Sequence, residues 1–183
     1  MTANYAITPV AGTLTINPRS VTLTSAGAEK VYDGQPLTRN AQSNVSVGGD
    51  GFASGEGATY DITGTITNVG EVPNAFTYTL NEGTKAGNYT ITTAEGALKV
   101  TPVTSKVTVT ITENKGEVTY NGFEHTISGY ASMVADNELY DVTTSVKETS
   151  TAAWTVTKTD AGTYDMGFVP GDFENTNANF ANV

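Results

Sequence analysis

The stretch "NYTITTAEGALKVTP", residues 88–102, decides the fold. Tyr89 and Ile91 alternate with polar residues, a turn containing Gly96 follows, and Leu98 and Val100 alternate again. A period of two is the pattern of a strand, whose side chains point to opposite faces in turn. The stretch therefore predicts a hairpin. It is also written twice. "NYAITPVAGTLTINP", residues 4–18, matches it position for position at a spacing of 84, with Tyr5, Ile7, Leu14 and Ile16 in the same phase.

Self-similarity at a fixed spacing is the sequence mark of a modular array. Each copy ends in proline and runs into a further strand. Pro18 leads to Val21 and Leu23, and Pro102 leads to Val107, Val109 and Ile111. Proline fixes φ and cannot donate to a ladder, so a junction this short is a stiff one. The order between the copies also recurs. A Tyr-[Asp/Asn]-Gly turn stands at 32–34 and again at 120–122. A Tyr-Asp strand follows, "ATYDITGTIT" (58–67) and "LYDVTTSVK" (139–147). "NAFTYTL" (74–80) is answered by "GTYDMGF" (162–168), and "AGNYTI" (86–91) by "NANFANV" (177–183). A further strand is expected in "AWTVTKT" (153–159), with Trp154 and Val156 on one face.

These correspondences place the boundaries. Residues 1–18 read as the closing hairpin of an upstream repeat, 19–102 as one complete β repeat, and 103–183 as a second repeat that lacks its final strand. Such a division suits a segment of a tandem array. Helical periodicity is absent, and "ASMVADNEL" (131–139) is at most one short turn. The expected fold is all-β: two tandem immunoglobulin-like antiparallel β-sandwich modules. A β-grasp-like module is the alternative, and it would need a covering helix that the sequence does not offer.

Composition narrows the function. Nineteen acids against 9 bases give a net charge of −10 over 183 residues. Nucleic acid and anionic membrane surfaces call for a basic footprint, so neither is an expected partner. No run of about 18 apolar residues is present, so no membrane insertion of this segment is expected. Cysteine is absent, which removes disulfides, thiolate catalysis and cysteine metal sites.

The Tyr32-Asp33-Gly34 turn, "AGNYTI" and "EGALKVTP", in that order, resemble the MBG/YDG-type tandem repeat domains of bacterial cell-surface, adhesin-like proteins. "YNGFEHTISGY", "TDAGTYDMGF" and "DFENTNANFANV" in the second module resemble a sister subtype. The resemblance covers essentially the whole chain. It implies a secreted, wall-attached protein in which such modules repeat, an immunoglobulin-like architecture, and no catalytic residues. The missing final strand departs from the pattern.

No catalytic, cofactor-binding or metal-binding residues are assigned. His125 is the single histidine, and no nucleophile motif accompanies it. Asp33, Asp61, Asp141, Asp160, Asp165 and Asp172 lie beside turns or on outward strand faces. Two acidic loops offer oxygens for calcium, 47–57 with Asp50 and Glu56, and 169–179 with Asp172, Glu174, Asn175 and Asn177. Both read better as turns, since calcium takes six to eight oxygens. Trp154 is expected in a sandwich core and not on a sugar-stacking surface. For a Lys–Asn isopeptide bond, Lys106 falls on the threonine face and Lys30 beside a turn, so neither reads as a buried amine. The functional expectation is a non-enzymatic stalk or spacer, extracellular and wall-attached, whose partners are neighbouring repeats. Head-to-tail strand donation between copies is a further expected contact. The alternative is a module binding carbohydrate or a host protein.

Overall fold

The computed structural model describes residue 4, residues 8–149 and residues 154–183. Tyr5, Ile7 and the start of "AWTVTKT" lie outside the described residues. The chain is predominantly β, with strands gathered in small sheets. In order they are β1 (Arg19–Ser25), β2 (Ala28–Val31), β3 (Leu37–Thr38), β4 (Val45–Gly49), β5 (Ala58–Ile62), β6 (Thr65–Ile66), β7 (Gly70–Pro73), β8 (Phe76–Leu80), β9 (Tyr89–Ala94) and β10 (Ala97–Thr101). There follow β11 (Val109–Glu113), β12 (His125–Ser128), β13 (Tyr130–Ala135), a helical turn α1 (Val142–Ser145), β14 (Val146–Glu148), β15 (Thr155–Lys158) and β16 (Phe173–Asn175).

Residues gather in two compact units. One holds β1, β4, β5, β8 and β9. The other holds β2, β3, β6, β7 up to Val72, β10 and everything from β11 onward. In the first unit β1 is central. It pairs antiparallel with β4, and in parallel with β9 from Arg19↔Tyr89 to Thr24↔Ala94. Its alternation buries Val21 and Leu23, which join Val45, Ile62 and Tyr89 in a core flanked by Phe52, Tyr60 and Phe76. Burying each such aliphatic side chain contributes about 1.5–3 kcal/mol. β5 and β8 form an antiparallel pair with Tyr60 opposite Tyr78.

A buried polar knot closes the same unit. Ser25 Oγ donates to the carbonyl of Asn74 at 2.7 Å and accepts from Gly96 N–H at 3.0 Å. The Asn74 side-chain amide donates to the carbonyls of Ala26 and Arg39 at 2.9 and 3.1 Å. A Cβ on Gly96 would lie 2.6 Å from the Ser25 carbonyl oxygen, so only glycine lets the β9–β10 turn approach this closely.

In the second unit β10 lies between β2 and β7, in parallel register with β2 from Leu98↔Ala28 to Thr101↔Val31. β3 pairs with β6, β12 with β15, β14 with β16 and β11 with β13, all antiparallel. Val103 forms an isolated parallel bridge to Phe180. Val107, Tyr140 and Phe180 are the buried centre, with Tyr32, Val103 and Val146 packed around them.

Five expectations need correction. Residues 88–102 are not a hairpin: β9 pairs with β1 and β10 with β2 and β7, so the two strands turn at Gly96 from one sheet into another instead of pairing with each other. "ASMVADNEL" is not a helical turn, because Tyr130–Ala135 form β13 against β11. "LYDVTTSVK" is not one strand. The Asp141 carboxylate accepts from Thr143 N–H at 2.9 Å, satisfying a first-turn donor and starting α1, and extended chain resumes only at Val146. "GTYDMGF" forms no strand; Gly167 takes φ +78, which interrupts an extended run. The strand that pairs with β14 is β16, within the 169–179 loop. Finally, the described part of the first hairpin, residues 8–18, carries no strand. Leu14 is 88% and Ile16 84% exposed, because no neighbour offers a ladder or an apolar face.

The twin leucines give a direct check. Leu98 is fully buried and Leu14 is not. Leu98→Ala should destabilise the protein by about 2–5 kcal/mol in chemical denaturation. Leu14→Ala should stay within about 0.5 kcal/mol of the parent.

Candidate functional site

The two Tyr-[Asp/Asn]-Gly turns share one geometry. Asp33 Oδ1 accepts from Gln35 N–H at 2.9 Å, and Asn121 Oδ1 accepts from Phe123 N–H at 3.0 Å. Gly34 and Gly122 follow with φ +75 and +79. Asp or Asn supplies an acceptor that mimics a backbone turn, and glycine supplies the left-handed step. The Lys30 ammonium also donates to Asp33, which holds that carboxyl below the usual range.

The environments of the two turns differ. Tyr32 N–H donates to the Thr101 carbonyl at 2.8 Å, and its ring meets Phe180 edge-on at 5.7 Å. Phe180 in turn meets Tyr140 at 5.0 Å. Tyr140 is buried, which pushes its phenol pKa up, and its hydroxyl donates to Asn175 Oδ1 at 2.8 Å. Asn179 Oδ1 accepts from Val69 N–H at 2.8 Å, and Asn179 Nδ2 donates to Asn68 Oδ1 at 3.2 Å. Residues from both sides of Pro102 thus share one small core. Tyr120, by contrast, is 63% exposed, and Val118 and Phe123 beside it are exposed as well.

A groove of about 520 Å³ opens next to Tyr120. Its walls are the irregular segment 116–120, the half-buried side chains of His125, Ile127 and Val156 on β12 and β15, and the segment from Lys158 to Tyr164. His125 Nε2 lies 2.9 Å from Asn121 Oδ1, so the histidine braces the turn and meets no acid–nucleophile pair. The Lys158 ammonium sits 5.2 Å from the centroid of the Tyr164 ring. A second groove, about 410 Å³, is lined by Ile111, Tyr140, Val146, Phe168 and Phe173. Trp154 stacks on Phe173 at 5.2 Å and meets Phe168 edge-on at 4.8 Å. It is half-buried, so it belongs to a ring cluster and is neither a fully enclosed core residue nor a free stacking platform.

The remaining candidates are dispersed. Asp50 accepts from Ser20 N–H at 3.0 Å, and Glu56 accepts from the Tyr89 hydroxyl at 2.6 Å, which raises the Tyr89 pKa. Asp172 accepts from Val169 N–H at 3.0 Å. The side chains of Asn175 and Asn177 brace the 175–180 turn, and Glu174 is exposed on β16. Asp61, Asp160 and Asp165 are exposed. Among the described residues no group of three or more His, Cys, Asp or Glu converges on a metal-sized point. Lys106 is exposed and Lys30 is engaged with Asp33. Sequence reasoning missed the Asn175, Asn177 and Asn179 bracing network. The signal available was the density of Asn in "ENTNAN", a composition that marks side chains competing for backbone groups.

Asp33 and Asp141 both have lowered folded-state pKa values, Asp33 mainly through Lys30 and Asp141 mainly through the Thr143 hydroxyl. Their contribution is full above the unfolded carboxylate pKa and is lost as pH falls through the lower folded value. The melting temperature, followed from neutral to about pH 2, should fall less steeply at the acid end for Asp141→Asn than for the parent. Equal slopes would remove the cap from the account.

In comparisons with known proteins, no family model, no curated protein and no solved structure matches the chain.

Proposed function

We propose that the chain is a non-enzymatic, modular segment of a bacterial surface protein, a stalk or spacer built from MBG/YDG-type repeats. Its modules are immunoglobulin-like, and it acts outside the cell, attached to the wall. The strand pairings support a repeat. β1 pairs antiparallel with β4 and starts a parallel ladder at Tyr89; the chain at 103–113 pairs antiparallel with β13 and starts a parallel bridge at Phe180. β3–β6 is matched by β12–β15, and β5–β8 by β14–β16.

The observation that carries the stalk reading is the position of Tyr32. It belongs to the first repeat and packs in the core that Val107, Tyr140 and Phe180 of the second repeat form. A turn that inserts its aromatic into the next module makes a joint and not a hinge. Spacing then follows from geometry. A seven-residue strand such as β1 spans about 23 Å, so stacked modules add a few nanometres each. The excess of acids keeps the faces solvated and discourages lateral association. A second reading, a module for glycans or a host protein, draws on the exposed Tyr120 and Phe123.

A double-mutant cycle between Tyr32→Leu and Phe180→Leu tests the joint. The coupling should be about 0.5–1.5 kcal/mol. Additive effects, within about 0.3 kcal/mol, would leave two independent beads and no stalk. Binding of soluble oligosaccharides that is lost in Tyr120→Ala would favour the second reading.

A further inference from the structure

The turn at 120–122 carries a pair of residues that the chain uses nowhere else, Asn121 followed by Gly122. The fold does not need that amide. Asp33 and Gly34 build the same turn in the first repeat, with the same bond from the residue two places on and the same left-handed glycine. The two copies differ in the reactivity of the side-chain carbon. Asp33 is a carboxylate engaged by the Lys30 ammonium, and a carboxylate resists attack by a nucleophile. Asn121 carries a neutral amide, whose nitrogen can leave as ammonia.

Three features bear on that carbon. Phe123 N–H donates to Asn121 Oδ1 at 3.0 Å, which fixes the oxygen end of the amide. His125 Nε2 lies 2.9 Å from the same oxygen, and since that oxygen only accepts, Nε2 is the donor. Two donors on one carbonyl oxygen are placed to hold the negative charge of a tetrahedral intermediate. Beside them stands the backbone nitrogen of Gly122. A Cβ on Gly122 would meet nothing within 4 Å, and Asn121 and Gly122 are exposed, so water has access. A module packed after this one need not close the turn. In the twin turn the Asp33 side chain is 56% exposed although the second repeat follows it.

We propose that Asn121-Gly122 is a self-modification site, where the Gly122 nitrogen closes on the Asn121 side chain and the amide is exchanged for water. The Gly122 N–H gives its proton to solvent, its nitrogen bonds to Asn121 Cγ, and the charge on Oδ1 is held by Phe123 N–H and His125 Nε2–H. Collapse breaks the Cγ–Nδ2 bond. Nδ2 takes a proton from solvent and leaves as ammonia, and a succinimide ring remains. One water then opens the ring at either carbonyl, to aspartate or to an isoaspartyl linkage. The aspartate product restores the turn in its Asp33 form with one more negative charge. The isoaspartyl product adds a methylene to the main chain just ahead of β12, where His125 pairs with Lys158.

The test holds the chain at neutral pH in water enriched in heavy oxygen and follows its peptides by mass spectrometry. Asn121 should convert ahead of every other asparagine, giving aspartate and isoaspartate that each carry one heavy oxygen. His125→Leu removes the donor and places there the residue that the first repeat has at the matching position, Leu37. It should slow conversion about fivefold to tenfold, the effect of losing one hydrogen bond to the developing charge. His125→Gln, which keeps a donor nitrogen, should recover most of the rate. A histidine that only stiffened the turn would act the other way, since its loss would free the Asn-Gly pair and raise the rate. Conversion at Asn121 no faster than at the exposed Asn40, products without heavy oxygen, or a rate unchanged or raised in His125→Leu overturns the proposal.

Discussion

A parallel contact between the start of each half and a segment near its end is the constraint on which that half depends. Arg19 meets Tyr89 across 70 residues of sequence, and Val103 meets Phe180. Closing loops of that length costs chain entropy that only many long-range contacts can offset. The first half meets the cost with a six-residue ladder and the enclosed Val21 and Leu23. The second has a shorter closure. Val103 N–H donates to Asn179, Ala181 N–H to Val103, and Val107 N–H to Asn182, with Phe180 supplying the buried ring. The asparagines of "ENTNAN" hold that short closure together by bonding backbone and one another.

The repeated turn answers to the same economy of means. Asp33 or Asn121 and the glycine after it fold the chain back with little sequence. The tyrosine before them meets a different neighbour in each copy. At Tyr32 that ring is received by Phe180. At Tyr120 it is left in solvent beside a groove. The two copies differ in what meets them and not in how they are made.

Alternation made most of the fold readable. Val21 and Leu23, Leu98 and Val100, and Val107, Val109 and Ile111 all sit on the phase that their period of two assigns. The turn at 120–122 and the inward phase of Phe180 were also legible. What failed was context. Asp141 looks like a strand residue until its carboxylate caps a helical turn. Gly167, at φ +78, interrupts a run whose Tyr164 and Phe168 otherwise suggest a strand, while Phe173–Asn175 is too short and too polar to announce one. Residues 8–18 have a strand pattern without a neighbouring sheet, and a pattern alone does not form a ladder. The groove could not be seen at all, since it is defined by which neighbours converge.

Native-state amide hydrogen exchange in dilute solution tests the central claim, that both halves follow one pairing plan and that 116–120 has no ladder partner among the described residues. The account predicts slow exchange at Val103, Val107 and Ala181, as along β1, and slow exchange at Tyr32. It predicts fast exchange throughout 116–120, the sequence twin of β2. Protection of 116–120 equal to that of β2 in a dilute monomer, or fast exchange at Val103 and Ala181, would contradict it.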